Sequence, residues 1–377
     1  MKFAVFCGLA WFVLATPASA SGFASFNAGI LAHNNADMNG TISNFTLALN
    51  APDLPPVLRP VALLDRAEAY AVNGDYEHAF ADYAACLALT PDDYTALIQR
   101  GTLHVLRREF EPARADFVSA VRARPALPLA YVREGEIYMT EQKYDDALKV
   151  FSDGLAASWY TMHFYTLRSE AYRLSGRFAE AKKEDDAAIA RDKDYAPAFL
   201  ERGKVLRDSG DLSGANSDFR AAADSDFDDP DFKLSLGIAQ WESGKFDDAI
   251  RSFRRASGDD DQTRYAFLWL YVANTKERWP EHDLPEKAAK IDKQNWPGPI
   301  IDLIAGIKTA DGVFAMAKQD DRDGRKLCEA NFYVGEWQLA QDNGAEGKRL
   351  LDAAVQTCAP TSEEFTAAKF DLNRLPA

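Results

Sequence analysis

The sequence predicts an all-α fold, a right-handed superhelical solenoid built from helix-turn-helix repeats. The main evidence is a set of small residues spaced 34 positions apart: Ala67, Gly101, Gly135, Ser169, Gly203 and Gly237. Each is followed nine residues later by an aromatic residue or leucine, and twelve residues later by alanine. A period of this length indicates hairpins that bury their apolar faces by stacking on their neighbours.

Bulky residues occupy a matching position in the second helix of the predicted hairpins. Sixteen residues after the small residues stand Tyr83, Phe117, Phe151, Asp185, Phe219 and Phe253. Two antiparallel helices cross closely only where the crossing point lacks bulk, and an aromatic ring then fills the space beside it. The pattern resembles the tetratricopeptide repeat (TPR), a helix-turn-helix of 34 residues. The resemblance implies a concave groove lined by the first helices.

The regularity of the period divides the chain into segments. They are a signal peptide at 1–20, a degenerate N-terminal helical hairpin and linker at 21–56, six TPR repeats at 60–260, an irregular helical segment at 261–327, and a terminal TPR-like hairpin with a capping helix at 328–377. Within the repeats, we expect left-handed turn residues between the helices at Gly74, Gly176, Gly210 and Gly244.

The first residues have the features of an export signal. Lys2 precedes an apolar run at 3–14, and Ala18-Ser19-Ala20 forms a small-x-small cleavage pattern. We expect cleavage after Ala20 and a periplasmic location, either free or peripheral to the outer membrane. No later stretch has the roughly 20 apolar residues of a spanning helix, so no stable membrane span is predicted.

Composition and net charge indicate a globular protein and disfavour one class of partner. The chain is 47% hydrophobic and 27% charged, which is typical of globular proteins. Its formal net charge of -15 makes nucleic acid a poor partner.

The last third resembles a narrower family. Trp296-Pro297, the run at 331–335 (NFYVG), Ala353-Ala354-Val355 and the closing Ala367-Ala368 are similar to the NlpI-type TPR proteins of Gram-negative envelopes. Members of that family are homodimeric adaptors that present substrates to a periplasmic PDZ-containing protease and gather peptidoglycan hydrolases. The resemblance implies an envelope scaffold, although this sequence lacks the lipobox cysteine of the lipoprotein members.

Two cysteines lie at the ends of the predicted terminal hairpin. Cys328 begins its first helix and Cys358 follows its second helix, so antiparallel packing brings them to the same end. We expect a disulfide, because an exported chain meets an oxidising compartment. Two independent buried thiols are the alternative.

The sequence offers no visible site for chemistry. Its five histidines have no partner at metal-ligand spacing, and the acidic runs at 224–229 and 319–324 miss the EF-hand pattern. We find no catalytic Ser/His/Asp or Cys/His order and no phosphate-binding loop. We therefore expect no cofactor, no metal and no enzymatic activity.

The groove is the candidate site, lined by fixed positions of the first helices. The apolar front half contains Val61, Leu64, Glu68, Val72, Ile98, Thr102, Val105, Leu106, Val132, Glu136 and Met139. The back half, of mixed charge, contains Glu170, Arg173, Lys204, Arg207 and Trp241.

An apolar groove suits an amphipathic helix or an extended hydrophobic segment. The sequence thus favours a non-catalytic adaptor that recruits a periplasmic protease or peptidoglycan hydrolase and its client. The alternative is a structural subunit of an envelope assembly for outer-membrane biogenesis, secretion or polysaccharide export. The apolar positions could instead be covered by the N-terminal hairpin or by a second copy in a homodimer.

Overall fold

The computed structural model describes most of the chain after the predicted signal peptide. The described residues are 21–224, 230–256, 261–277, 288, 291, 293, 295–319, 321, 324–360 and 362–375. Within these ranges the chain forms helices joined by short loops and no β-strand, which confirms the all-α prediction. The signal peptide at 1–20 and most of the acidic run at 224–229 lie outside the described residues.

The described residues divide into two compact units. Unit 1 contains residues up to Gln142 together with Ala156–Trp159, and unit 2 contains Lys143–Leu155 and the chain from Tyr160 onward. The helices of unit 1 are α1 Gly22–Asn34, α2 Met38–Asn50, α3 Arg59–Val72, α4 Tyr76–Leu89, α5 Tyr94–Leu106, α6 Phe110–Ala123 and α7 Leu129–Thr140. Helices α1 to α6 pack as three successive hairpins.

Unit 2 continues the series of hairpins and ends in less regular helices. Its helices, counting α8 although its last two residues belong to unit 1, are α8 Tyr144–Ala157, α9 Thr161–Leu174, α10 Phe178–Arg191, α11 Ala196–Asp208, α12 Leu212–Ala223, α13 Pro230–Glu242, α14 Phe246–Ala256, α15 Asp261–Glu277, α16 Gly298–Ile304, α17 Ala310–Ala317, α18 Arg325–Ala340, α19 Gly344–Thr357 and α20 Glu363–Leu372. Helices α18 and α19 form a hairpin, and α20 packs against both.

The two helices of a hairpin touch where the sequence places its small residues. A Cβ atom at Gly101 would lie 2.6 Å from the Phe117 ring, closer than real Cβ contacts. The same holds at Gly203 and Gly237, at 2.6 and 2.5 Å from their aromatic partners, and at Gly29 of the first hairpin, at 2.8 Å. A larger side chain at these positions would force the helices apart.

An arginine–carboxylate ion pair that the sequence analysis did not predict lies beside this crossing point in four repeats. The residue before the small residue is an arginine in four repeats, and a carboxylate follows it at a spacing of sixteen. The pairs are Arg66–Asp82 at 2.7 Å, Arg100–Asp116 at 2.6 Å, Arg168–Glu184 at 3.0 Å and Arg202–Asp218 at 2.7 Å. Three of them are bidentate, which fixes the register of one helix against the other.

The fourth repeat replaces the apolar crossing contact with a polar one. Ser169 Oγ donates a hydrogen bond of 2.5 Å to Asp185 Oδ2, and both residues are fully buried. Asp185 Oδ1 has no hydrogen-bond partner among the described residues. Burial raises the pKa of Asp185 to about 9, although the Ser169 hydroxyl opposes the shift. The folded chain therefore holds this carboxyl in its neutral form at neutral pH.

The terminal hairpin confirms the predicted disulfide. Cys328 lies in the first turn of α18 and Cys358 caps the end of α19. Their Cα atoms are 4.7 Å apart and the sulfur atoms are bonded. The other cysteine among the described residues, Cys86, is buried and unbonded, as expected for a thiol at a small-residue position.

We predict that the Asp185 carboxyl makes stability fall as pH rises. The folded pKa exceeds the unfolded value, so this contribution is fully present below about pH 4 and is lost as pH approaches 9. Asp185→Asn keeps an acceptor for Ser169 and removes the titration. At pH 8 it should raise the free energy of unfolding by about 1–3 kcal/mol, and the gain should shrink at pH 4.

Urea unfolding at several pH values would measure this effect. Asp153→Asn, at an exposed position of α8, is the control and should leave the pH dependence unchanged. Equal pH dependence in the wild type and Asp185→Asn would contradict the prediction.

We also predict that the disulfide contributes substantially to stability. It closes a loop with a sequence separation of 30, which the chain-entropy model values at about 3.5 kcal/mol. The double variant Cys328→Ala/Cys358→Ala should lose about that amount, measured by thermal unfolding without reductant. Cys86→Ala is the control. Reductant should lower the stability of this variant by as much as it lowers the stability of the wild type. A wild type whose stability is insensitive to reductant would overturn the prediction.

Candidate functional site

The predicted front half of the groove belongs to α3, α5 and α7 of unit 1. Three of its apolar side chains are exposed, namely Val61 at 40%, Val72 at 64% and Leu106 at 68%. The half-buried members are Leu64, Glu68, Thr102, Val105, Glu136 and Met139. Ile98 and Val132 are buried. The first-helix surface of unit 1 therefore exposes apolar side chains at the ends of α3 and α5.

Hydrogen bonds between polar side chains link the helices that form this surface. Gln99 Nε2 donates a hydrogen bond of 3.1 Å to Glu68 Oε2, which links α5 to α3. Gln99 Oε1 in turn accepts a hydrogen bond of 3.3 Å from the Tyr83 hydroxyl of α4. Burial raises the pKa of Asp65, and the negative charge of Glu68 raises it further. Exposed apolar side chains and acidic groups thus lie on the same helices.

The charged members of the predicted back half meet at a cavity of unit 2. Arg173 of α9, with Lys204 and Arg207 of α11, line a cavity of about 570 Å³. Glu170 lies instead at a second cavity of about 490 Å³, where His163 is among the lining residues. The structure therefore brings together the three cations that the sequence grouped. Glu170 lines the second cavity but stays close to Lys204: against the effect of burial, the Glu201 and Glu170 carboxylates raise the pKa of Lys204.

Trp241 requires a correction. The sequence placed it on the groove, but its side chain is fully buried. Its ring lies 5.0 Å from that of Phe370 on α20 and 5.6 Å from that of Trp269 on α15, measured between centroids. Trp241 is enclosed because these helices cover the part of α13 on which it lies, so it is a core residue and not an accessible groove residue.

Three carboxylates line the same cavity as the cations and were missed in the sequence. Glu329 comes from α18, and Glu363 and Glu364 come from the first turn of α20. Arg207 Nη1 lies 3.3 Å from Glu363 Oε1, although the two residues are 156 positions apart. No repeat pattern relates residues so distant in the chain, so no sequence signal could have found this contact.

The cations of the cavity are held by internal ion pairs. Arg173 Nη1 donates to Asp208 Oδ2 at 2.8 Å, and Arg207 Nε donates to Asp208 Oδ1 at 3.2 Å. Lys204 Nζ donates to Glu201 Oε1 at 2.7 Å. These pairs fix the cationic side chains before any ligand arrives, as a binding site requires.

Glu242 is a buried carboxyl group that these ion pairs leave without a hydrogen-bond partner. Its carboxylate is buried, and neither oxygen has a hydrogen-bond partner among the described residues. Burial raises the pKa of Glu242 to about 7, and the nearby Arg207 guanidinium limits the rise. Arg207 is therefore the cation on which the protonation of Glu242 depends.

Glu329 is oriented by groups from three parts of unit 2. Trp296 Nε1 donates a hydrogen bond of 2.6 Å to Glu329 Oε2, and the Tyr265 hydroxyl donates one of 3.0 Å to the same oxygen. Arg325 lies 3.3 Å from Glu329 Oε1. Trp296 thus helps to orient a cavity residue.

Comparison with known proteins identifies the repeats. Residues 98–160, 132–199 and 200–270 match the family model described as tetratricopeptide repeat. Residues 98–270 of this chain are therefore similar to tetratricopeptide repeats.

Several solved TPR structures are similar to parts of this chain. A TPR protein from Parabacteroides merdae ATCC 43184 has a TM-score of 0.53 and 16% identity, covering 66% of this chain and 98% of that chain. YrrB, described as a TPR protein with an unusual peptide-binding site, has a TM-score of 0.34 and 18% identity, covering 55% and 98%. PilW, described as a widely conserved type IV pilus biogenesis factor, has a TM-score of 0.44 and 16% identity, covering 55% and 97%. The similarity to the first of these structures supports the TPR fold.

The described residues contain neither a metal-binding group nor a membrane-spanning helix. Among the described residues, no group of three or more His, Cys, Asp or Glu is placed to hold a metal ion. None of the described helices is long and apolar enough to cross a membrane.

We predict that Arg207 is essential to the stability of the charged network. Arg207→Met removes the cation beside Glu242 and Glu363, and breaking such a buried pair costs about 3–5 kcal/mol. Arg349→Met, which removes an exposed pair with Glu346, is the matched control and should leave the free energy of unfolding nearly unchanged. Urea unfolding of both variants measures the difference, and equal losses would contradict the buried role of Arg207.

Proposed function

We propose that this TPR protein is a non-catalytic adaptor of the cell envelope. It binds a protein partner through the first-helix surface of unit 1, and the partner is a periplasmic protease or a peptidoglycan hydrolase together with its client. TPR proteins generally mediate protein–protein interactions, and stacked helical repeats form extended binding surfaces. The predicted signal peptide and the resemblance of the last third to envelope adaptors support the location and the kind of partner.

The exposure of apolar side chains in unit 1 is the observation that carries the proposal. Val72 and Leu106 occupy the same position of successive first helices, 34 residues apart, and both expose about two thirds of their surface. Val61 adds a third exposed apolar side chain on α3. Exposed apolar side chains that recur on successive first helices suggest an interaction surface. It suits the apolar face of a helix or an extended hydrophobic segment.

Acidic groups suggest the charge of that segment. Asp65 and Glu68 lie on α3, the helix that carries Val61 and Val72, and Glu136 lies on α7. A partner segment that combines apolar side chains with lysine or arginine would complement both features. A homodimer remains part of the proposal, because the family that the last third resembles is dimeric.

We predict that Val72→Asp/Leu106→Asp abolishes capture of the partner. A charge at each exposed position would have to be desolvated on binding, so recovery should fall at least about tenfold. The assay is affinity capture from envelope extract with crosslinking, read by mass spectrometry. Exposed positions suit this test because Leu64 and Val105 also pack against the core, and an aspartate there would disturb folding.

Leu89→Asp is the matched control, since Leu89 is an exposed leucine at the end of the second helix α4. It should leave capture intact, and circular dichroism should show equal folding of all variants. Undiminished capture by the double variant would reject the unit 1 surface. Stoichiometric recovery of integral membrane proteins, in place of a protease or hydrolase, would indicate the structural-subunit alternative.

A further inference from the structure

The cavity of unit 2 carries charges of both signs, supplied by different parts of the chain. Its cations Arg173, Lys204 and Arg207 come from the first helices of two repeats, whereas Glu363 and Glu364 come from the C-terminal helix α20. The Arg207–Glu363 ion pair joins the two sets at one point. A ligand inside this cavity would meet cations on the repeat side and carboxylates on the α20 side.

Hydrogen-bond donors remain for an anionic group. An ammonium has three donors, and among the described residues Lys204 Nζ has one hydrogen-bond acceptor, Glu201 Oε1 at 2.7 Å. About a quarter of the Lys204 side chain, 26%, is accessible. Arg173 is more than nine-tenths buried in the cavity lining, and its Nε is without a hydrogen-bond partner among the described residues. A ligand carboxylate at Lys204 would also lie in the field of Arg173.

Glu364 has no ion pair of its own among the described residues, whereas Glu363 is paired with Arg207 and Glu329 with Arg325. Its one side-chain donor among those residues is the Tyr333 hydroxyl, at a long 3.4 Å. Burial, and then repulsion from Glu329 and Glu363, raises the pKa of Glu364 to about 8. A ligand ammonium between Glu363 and Glu364 would offset that repulsion and supply the cation that Glu364 lacks.

Size and apolar lining complete the description of the ligand. The volume of about 570 Å³ falls in the range of roughly 300–1,000 Å³ typical of small-molecule sites. Leu200, Leu234 and Ala359 also line the cavity and offer contact to small apolar side chains. A long segment of a folded partner would not fit, whereas a molecule of a few residues would.

Because the cavity carries both positive and negative side chains, ligands with only one sign of charge fit it poorly. An inorganic anion would meet the carboxylates, and a metal or organic cation would meet the arginines and the lysine. We propose that the cavity of unit 2 binds a short peptide with free termini, with its α-carboxylate at Lys204 and Arg173 and its α-ammonium at Glu363 and Glu364. This site is separate from the partner surface proposed for unit 1.

Calorimetric titration of the purified full chain with the dipeptide Ala-Leu tests the proposal. Three probes accompany it: N-acetyl-Ala-Leu, which lacks the ammonium, Ala-Leu amide, which lacks the carboxylate, and free leucine, which keeps both groups at a shorter spacing. We expect Ala-Leu to bind, and each blocked dipeptide to bind at least about tenfold more weakly. Binding of free leucine in place of Ala-Leu would identify an amino acid as the ligand and overturn the peptide assignment.

Variants test the position of the site. Lys204→Met and Glu364→Gln should each weaken Ala-Leu binding at least about tenfold. Lys182→Met and Glu346→Gln are the matched controls, because each removes one partner of an ion pair that does not line the cavity. Both controls should bind as the wild type does, and so should Val72→Asp/Leu106→Asp of unit 1.

Several results would overturn the proposal. They are the absence of Ala-Leu binding, equal binding of either blocked dipeptide, and equal loss in the control variants. The comparison of probes uses the wild-type chain, so it remains decisive even if Lys204→Met fails to fold.

Discussion

The close approach of the two helices in each hairpin is the contact from which the stack is built. At Gly237 a Cβ atom would lie 2.5 Å from the Phe253 ring, so the helix spacing exists only because the side chain is absent. The ring then fills the space between the helices and is completely buried. Each hairpin that repeats this contact presents the same outer faces as the last, which allows hairpins to stack in series. Bidentate pairs such as Arg202–Asp218 add a fixed register beside the contact.

Periodic, local contacts could be predicted from the sequence because their partners lie at a constant spacing. The hairpins, the left-handed turns at the four glycines and the Cys328–Cys358 bond all belong to this class. The turn prediction was incomplete, since Arg108 and Gln142 adopt the same left-handed conformation at φ of 58° and 59°. Packing of the two helices dictates that conformation whichever residue occupies it, although glycine adopts it at the lowest cost.

Contacts outside the period could not be predicted. The burial of Trp241 depends on Phe370, and the cavity depends on the approach of Glu363 to Arg207. Both arise from where α20 packs, and α20 follows a segment in which the period has stopped. The sequence identified the cations of the site by their repeat position, but the carboxylates have no repeat position to reveal them. The sequence therefore predicted the cations of the cavity, but it did not predict the carboxylates of α18 and α20 that lie opposite them.

Exposed apolar side chains and buried charged side chains both occur in this fold. In unit 1 apolar side chains such as Leu106 are exposed, and in unit 2 charged ones such as Arg207 and Glu242 are buried. Stability alone explains neither, because an exposed apolar group gains nothing from folding and a buried ion network is often less stable than apolar packing of the same volume. The pKa of Glu242, raised to about 7 by burial, shows that desolvation in unit 2 is incompletely offset. Binding would bury the apolar surface in the first case and supply missing charge partners in the second.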